Sequence, residues 1–180
     1  MFKLNSLESQ SLLLVAMLAM ASVGEAQTCR SDSEISPTTP TIDFRDNGDG
    51  TVTHKTTGLM WTKCALGQTG ADCSGGSAAT YSWGEALQAA AASRVAGYAD
   101  WRVPNIKELA TLIEQQCFDP AVNLAVFPGI PASDFWSSSP TTDFPVNTPA
   151  SWGVNFAEFG YNFNYDRDNL LSLRLVRSVP

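Results

Sequence analysis

Short runs of β-prone residues flank two turn signals in the first patterned part of the chain, IDFRDNGDGTVTHKTTGLMWTK at 42–63. The turn signals are NGDG at 47–50 and TTG at 56–58. Gly and Asn tolerate the backbone angles that tight turns need, and such turns connect neighbouring antiparallel strands. This segment is therefore predicted to form a β-hairpin or a meander.

Two amphipathic helices are predicted next. The first begins at a capping box formed by Ser82 and Glu85 and stops at Gly97. Its helical repeat consists of Trp83, Ala86, Leu87, Ala90 and Arg94. In the second, Asn105 is the N-cap and Glu108 follows three residues later. Its apolar stripe consists of Ile106, Leu109, Ala110 and Ile113, and both stripes are expected to face a core.

Helix signals fade after Cys117, where prolines separate short segments rich in aromatic and branched residues. These segments are 135–137, 152–156, 161–165 and 173–177. A strand pair, two helices and then several short strands indicate an α+β protein, with two helices packed on short antiparallel strands that are joined by long loops.

The N-terminus has the features of an export signal. Lys3 supplies a positive charge, an apolar run covers 12–21, and Gly24 and Ala26 provide small residues before a cleavage site. Residues 1–26 are therefore predicted to be a signal peptide, with an uncleaved anchor as the alternative. Residues 27–41 form a Ser/Thr/Pro-rich arm, and 42–180 form one domain that is secreted or periplasmic, with no stable membrane span after cleavage.

The even number of cysteines in an exported chain indicates disulfides. Four cysteines allow three pairings. Cys64 and Cys73 flank a loop rich in Gly and polar residues, which favours their pairing and leaves Cys29 with Cys117. Metal binding is the rival interpretation, but the chain has no C-x-x-C motif and a single histidine, His54.

Composition narrows the range of partners. Of the 180 residues, 44% are hydrophobic and 16% are charged, with 18 acidic against 11 basic residues and a net charge of −7. Such a chain is too apolar for intrinsic disorder. Its acidic balance also argues against nucleic acid as a partner, because phosphate binding requires clustered Lys and Arg.

No catalytic residue, cofactor or metal ligand is predicted. Asp46, Asn47 and Asp49 resemble part of a calcium loop, but Thr57 stands where an EF-hand requires its twelfth-position Glu, so a tight turn is favoured. The serines at 137–139 lack a nucleophile elbow, and a triad would depend on His54 alone.

Two further groups of charged residues are also interpreted as structural. Asp166 and Asp168 flank Arg167, which indicates a solvated loop with a local ion pair rather than a glycosidase carboxylate pair. The Asp-Trp-Arg sequence at 100–102, with Arg174 and Arg177, indicates a brace of Arg, Asp and Trp, and a ligand-anchoring Arg is the alternative.

The most informative segment is 151–169, which holds six aromatic residues and four Asn. In YNFNY at 161–165 a strand would place the aromatic rings on one face and the Asn side chains on the other. Antibody-like binding surfaces use this combination, and flat rings with amides also suit sugars. An ordinary hairpin with one core face is the alternative.

Four motifs in order, FRDNGDGTVTHKTTGLMWTKC, GYADWRVPNIKELATLIE, FWSSSP and LRLVR, resemble the Lcl C-terminal domain family over residues 43–177. The resemblance implies an exported bacterial domain with a C-type-lectin-like fold of the formylglycine-generating-enzyme type. The founding member is an adhesin with a collagen-like stalk and a head that binds sulfated glycans, and related heads are varied by retroelements. The sequence shows no collagen-like repeat, so a trimer is not implied, and its acidity does not favour a sulfated ligand.

We therefore expect a non-catalytic, adhesin-like domain that recognises an extracellular glycan or protein. An exported enzyme and a structural subunit of a surface assembly are the alternatives. The expected ligand-binding residues are Trp136, Ser138, Asn155, Tyr161, Asn162, Asn164, Tyr165, Asp166 and Asn169.

Overall fold

The computed structural model describes residues 27–143 and 148–179, so the predicted signal peptide lies outside the described residues. Two α-helices are present in this part, α1 (Trp83–Ala92) and α2 (Ile106–Ala110). The strands, several of only two residues, are β1 (Thr28–Cys29), β2 (Phe44–Asp46), β3 (Thr51–His54), β4 (Leu59–Thr62), β5 (Gln68–Thr69), β6 (Gly75–Gly76), β7 (Thr80–Tyr81), β8 (Cys117–Phe118), β9 (Asp134–Asp143), β10 (Thr148–Asn155), β11 (Tyr161–Asp166), β12 (Leu171–Ser172) and β13 (Val176–Ser178).

Two sheets organise the domain. A five-stranded sheet has the order β11-β10-β9-β12-β7, and a four-stranded sheet has the order β13-β4-β3-β2. All pairings are antiparallel except that between β12 and β9. The predicted α+β class is confirmed, and the C-type-lectin-like assignment stays a prediction.

The predicted meander is confirmed as β2, β3 and β4. Its first turn is closed by two carboxylates: Asp46 accepts the main-chain N–H of Gly48 at 2.9 Å, and Asp49 accepts that of Thr51 at 3.0 Å. Asp46 also accepts a bond from Lys63 at 2.7 Å. These acidic side chains are therefore used in shaping and bracing the turn, as short Asx motifs do.

Both helices begin where the capping residues predict. The main-chain N–H of Ser82 donates to Glu85, and Asn105 and Glu108 form a reciprocal capping box. Both helices are shorter than predicted: α1 ends at Ala92 rather than at Gly97, and α2 ends at Ala110, after which Ile113 forms a bridge with Val122.

The apolar stripe of α1 is narrower than predicted. Ala86 and Ala90 are buried, whereas Leu87 is exposed on the outer side of the helix. Consecutive residues of a helix are about 100° apart around its axis, so Leu87 lies to one side of the buried stripe.

The five-stranded sheet carries a hydrophobic core on each face. Phe135 and Val154 pack with Leu109 of α2 in one core, while Trp136 packs with Ala86 of α1 in the other. Adjacent residues of a strand point to opposite faces. A central strand with both faces covered therefore buries two consecutive aromatic residues.

The N-terminal arm is packed on the domain rather than extended away from it. Strand β1 pairs with β8, and Thr39 is buried. The Glu114 carboxylate holds the arm by accepting bonds from the main-chain N–H and hydroxyl groups of Thr38 and Thr39, and from the N–H of Gln116. A segment whose composition suggests a linker is thus held on the domain by strand pairing and by the buried Glu114 carboxylate.

Both predicted disulfides are confirmed, Cys64–Cys73 and Cys29–Cys117. The second joins the arm to the body across a sequence separation of 88 residues. In the described part of the chain no helix is long and apolar enough to cross a membrane.

The predicted brace of Arg, Asp and Trp forms with Tyr98 in place of Trp101. Arg177 bonds Asp100 at 2.7 Å and lies 4.0 Å from the ring centroid of Tyr98, while Trp101 enters the core. Arg174 is fully buried, donates to the carbonyls of Thr62 and Lys63, and lies over Phe127. Burial lowers its pKa to about 9.

Candidate functional site

Strand β11 is an edge strand that carries three aromatic rings on one face. The ring centroids of Tyr161 and Phe163 are 6.5 Å apart, and those of Phe163 and Tyr165 are 5.3 Å apart, both in edge-to-face geometry. Asn162 and Asn164 alternate with them. The predicted division of aromatic and Asn side chains between two faces is therefore present in the strand.

The innermost ring, that of Tyr165, is held by the sheet. It packs edge-to-face on Trp136 with centroids 5.9 Å apart, and a Cβ on Gly153 would lie 3.0 Å from it. Its hydroxyl donates to Asp134 at 2.5 Å, and Asn155 donates to the same oxygen at 2.7 Å. Burial, with the bond to Asp134 and that residue's charge, raises the pKa of Tyr165, so the phenol keeps its proton.

The outer two rings remain at the surface. Tyr161 is 42% exposed and Phe163 is 51% exposed, although both belong to a regular strand. We call this pair the aromatic strip. Phe159, in the turn before β11, is 71% exposed and contacts the ring of Phe118.

The structure corrects the expectation for Trp136, which is fully buried and donates its indole N–H to the carbonyl of Tyr81 at 2.7 Å. Ser138, two residues further along β9, is half-buried, and its main-chain N–H donates to the carbonyl of Pro104. Neither residue lies on the exposed edge, because β9 is an inner strand of the sheet. Asn155 and Tyr165, also expected to bind a ligand, are occupied in bonding Asp134.

Asp166 is the last residue of β11, Asn169 lies in the turn that follows, and both are exposed. Asp166 caps this turn by accepting the main-chain N–H of Asp168. The expected local ion pair of Arg167 is replaced by other contacts. The Arg167 guanidinium lies 4.3 Å from the ring centroid of Trp83, and its Nε donates to the Ala150 carbonyl at 3.1 Å.

A groove of about 660 Å³ adjoins the start of β11. Its walls are the turn after β3, the segment following α2, the start of β11 and parts of the arm. The lining residues are Thr38, Asp43, His54, Thr56, Thr57, Ala110, Thr111, Ile113, Gln115, Gly160, Tyr161 and Asn162. Tyr161 thus belongs to both the aromatic strip and the groove.

His54 is the one imidazole in the chain, and it lines this groove. Its ring stacks on Phe44 with centroids 4.6 Å apart, and Nδ1 lies 3.0 Å from the hydroxyl of Thr57. Burial lowers the pKa of His54, and the charge of Asp43 offsets this only in part. The ring is therefore neutral at pH 7 and adds no positive charge to the groove.

Sequence reasoning missed most of this groove. Thr38, His54, Gln115 and Asn162 come from four distant segments, and no local motif links them. Asn162 was the one of these four expected to bind a ligand. Among the described residues, no group of three or more metal-ligating side chains is gathered.

Comparison with known proteins identifies the family to which the chain belongs. A model of the Lcl C-terminal domain family matches residues 50–177, which include both helices and every strand from β3 to β12. Neither the curated proteins nor the solved structures yielded a match. The family match and the two disulfides fit an extracellular or periplasmic domain. The chain therefore belongs to the Lcl C-terminal domain family.

Proposed function

We propose that this chain is a non-catalytic recognition domain of the extracytoplasmic space, which holds a ligand against the aromatic strip of β11. The observation that carries the proposal is the exposure of Tyr161 and Phe163 on a regular edge strand. Surface aromatic rings in contact with each other are typical of interaction sites. The ligand class proposed here is an extracellular glycan or protein.

The physical argument is that exposure of these rings offers no benefit to the folded domain itself. Burying an aromatic side chain stabilises a protein by about 1.5–3 kcal/mol, and the five-stranded sheet does bury Phe135 and Trp136 fully. A ligand placed on Tyr161 and Phe163 would recover part of that free energy. Stacking on flat rings suits the C–H faces of sugars and the apolar side chains of proteins alike.

Rigidity is the second support. Tyr165 is fixed by Asp134 and Trp136, and its ring contacts that of Phe163. The strip is therefore positioned by the sheet before any ligand arrives. Ordering side chains at an interface costs about 0.5–1.5 kcal/mol for each flexible side chain, and a fixed strip avoids most of that cost.

The proposal is tested by probing the purified protein against a printed array of neutral, sialylated and sulfated oligosaccharides and against immobilised collagen, fibronectin and mucin. We expect binding to at least one probe, and we expect Phe163→Ala to weaken it about thirtyfold or more, because truncated aromatic hot spots cost about 2 kcal/mol or more.

Leu87→Ala is the matched control, since it truncates an exposed apolar side chain on α1, outside the strip. It should leave binding unchanged. Binding that survives Phe163→Ala, with unfolding curves showing a folded variant, would move the site elsewhere. A folded protein that binds no probe would contradict the proposal as stated.

One feature supports a structural subunit as a second candidate function. Strand β11 is paired only with β10 in the described sheet, so its outer edge offers main-chain groups for pairing with another strand. A subunit that assembles through this edge would elute as a stable oligomer on size-exclusion chromatography. A monomer at all concentrations used would eliminate this candidate and leave the recognition domain.

A further inference from the structure

The groove beside β11 differs in chemistry from the aromatic strip that it adjoins. Its lining holds four threonine residues, two amide residues, one carboxylate and the neutral ring of His54. None of the described residues that line it is Lys or Arg. The nearest basic residue in sequence, Lys55, donates its ammonium group to the Ile42 carbonyl.

Several polar side chains of the groove are available to a ligand. Within the part of the chain that the structure describes, the side chains of Asp43, Thr56, Gln115 and Asn162 have no hydrogen-bond partner. By contrast, Thr57 is engaged with His54. The available groups include amides that both donate and accept, and a carboxylate that only accepts.

The size of the groove suits a small ligand. Ligand pockets have volumes of about 300–1,000 Å³, and this groove has about 660 Å³.

One wall of the groove is the start of β11, where Asn162 lies opposite Val154 of β10. The face of β11 that carries Asn162 is therefore the face of Val154, the core-facing side near α2.

We infer that this groove binds an uncharged, hydroxyl-rich ligand, a neutral oligosaccharide, with Asn162, Gln115 and Asp43 as its hydrogen-bonding partners and Tyr161 at the rim. The inference rests on the proposed recognition function and specifies its ligand class. Sugar hydroxyls are both donors and acceptors, so they match amides and a carboxylate together.

Charge distinguishes this ligand from an anionic one. A sulfated or sialylated sugar would bring its negative charge toward Asp43, with no cation among the lining residues that the structure describes to offset the repulsion, and the whole chain has a net charge of −7. Binding of a neutral sugar involves no ion pair. It should therefore be nearly independent of salt concentration, because screening affects only charged pairs.

The test compares neutral, sialylated and sulfated oligosaccharides on one printed array at 50 and 500 mM salt. We expect signals from neutral sugars that change less than about twofold with salt. Asn162→Ala and Gln115→Ala should each weaken them between about three- and tenfold, the range for the loss of one hydrogen bond. Gln88→Ala removes the same side-chain amide as Gln115→Ala at an exposed position of α1, outside the groove, and should have no effect.

The outcomes separate this inference from the proposed function. Binding of sulfated sugars alone, or of neutral sugars unaffected by Asn162→Ala and Gln115→Ala, overturns the inference. If collagen, fibronectin or mucin binds in a manner sensitive to Phe163→Ala and no sugar binds, the groove inference is wrong while the recognition function stands. A folded protein that binds no probe at all overturns both.

Discussion

At the scale of single residues, the carboxylate of Glu114 bonds residues of the N-terminal arm that are about 75 positions away in the sequence, and no local motif predicts these contacts. It is 3% exposed and accepts bonds from Thr38, Thr39 and Gln116. Burial by itself would raise its pKa, but the hydrogen bonds from these groups outweigh burial and lower the pKa below 4.5. The charged form is therefore the one that the fold stabilises.

We predict that Glu114→Ala lowers the free energy of unfolding by about 3 kcal/mol, because several buried donors lose a charged acceptor at once. Urea unfolding at pH 7 measures this change. Glu114→Gln keeps the size and one acceptor oxygen, so its loss should be smaller. An Ala variant as stable as the wild type would show that Glu114 does not hold the arm.

The same residue predicts a pH dependence. A carboxyl with a lowered folded-state pKa contributes stability above its unfolded pKa of 4.5, and that stability is lost as the pH falls through the folded-state pKa. The difference in unfolding free energy between the wild type and Glu114→Gln should therefore be constant above about pH 5.5 and shrink below 4.5. A difference that stays constant down to pH 3 would contradict this.

At the scale of elements, the pairing of β9, β10 and β11 depends on the absence of a side chain at one position. Gly153 lies between Trp136 of β9 and Phe163 of β11. A Cβ at this position would lie 2.7 Å from the Phe135 carbonyl oxygen and 3.0 Å from the Tyr165 ring. Tyr165 can cover the sheet only because Gly153 leaves that space open.

We predict that Gly153→Ala destabilises the protein by about 1–3 kcal/mol, the usual cost of overpacking. Because Tyr165 and Trp136 would be displaced, the near-ultraviolet circular dichroism should also change. Gly84→Ala is the control: a Cβ there meets no atom within 4 Å and lies in helix α1. It should leave stability unchanged or raise it by up to about 1 kcal/mol. Equal effects of the two substitutions would contradict the packing argument.

At the scale of the whole molecule, the two disulfides constrain very different lengths of chain. Cys29–Cys117 spans 88 residues and Cys64–Cys73 spans 9. In the chain-entropy account, a longer closed loop restricts the unfolded state more. The bridge that joins the arm to the body is therefore the more stabilising one.

We predict that Cys29→Ser with Cys117→Ser lowers the free energy of unfolding by about 4–5 kcal/mol, and Cys64→Ser with Cys73→Ser by about 2–3 kcal/mol. Urea unfolding of both double variants measures the difference, and similar slopes against urea concentration would confirm a comparable unfolded state. A smaller loss for the 29–117 pair would show that native-state effects dominate loop entropy.

Local features were predictable because their physics lies within a few residues. The caps of α1 and α2 depend on residues three positions apart, and the meander depends on turn residues between β-prone runs. The pairing of Cys64 with Cys73 follows from their closeness in the chain. Alternation along β11 likewise predicted which side chains share a face.

Burial of particular rings was not predictable in the same way. Trp136 and Phe163 both occur in short aromatic segments of the sequence, yet one is fully buried and the other is 51% exposed. The difference is the position of the strand in the sheet: β9 is internal, and β11 is at the edge. Strand order is set by pairing between segments that are distant in the sequence, so it cannot be predicted from a few neighbouring residues.

The sequence by itself therefore determined the α+β class, the family, the disulfides and the alternation of rings and amides, because each follows from local spacing or from motif content. Only the tertiary structure decided which rings reach solvent and that Asp43, His54, Gln115 and Asn162 line one groove. Those properties depend on which distant segments the sheets and the packed arm bring side by side.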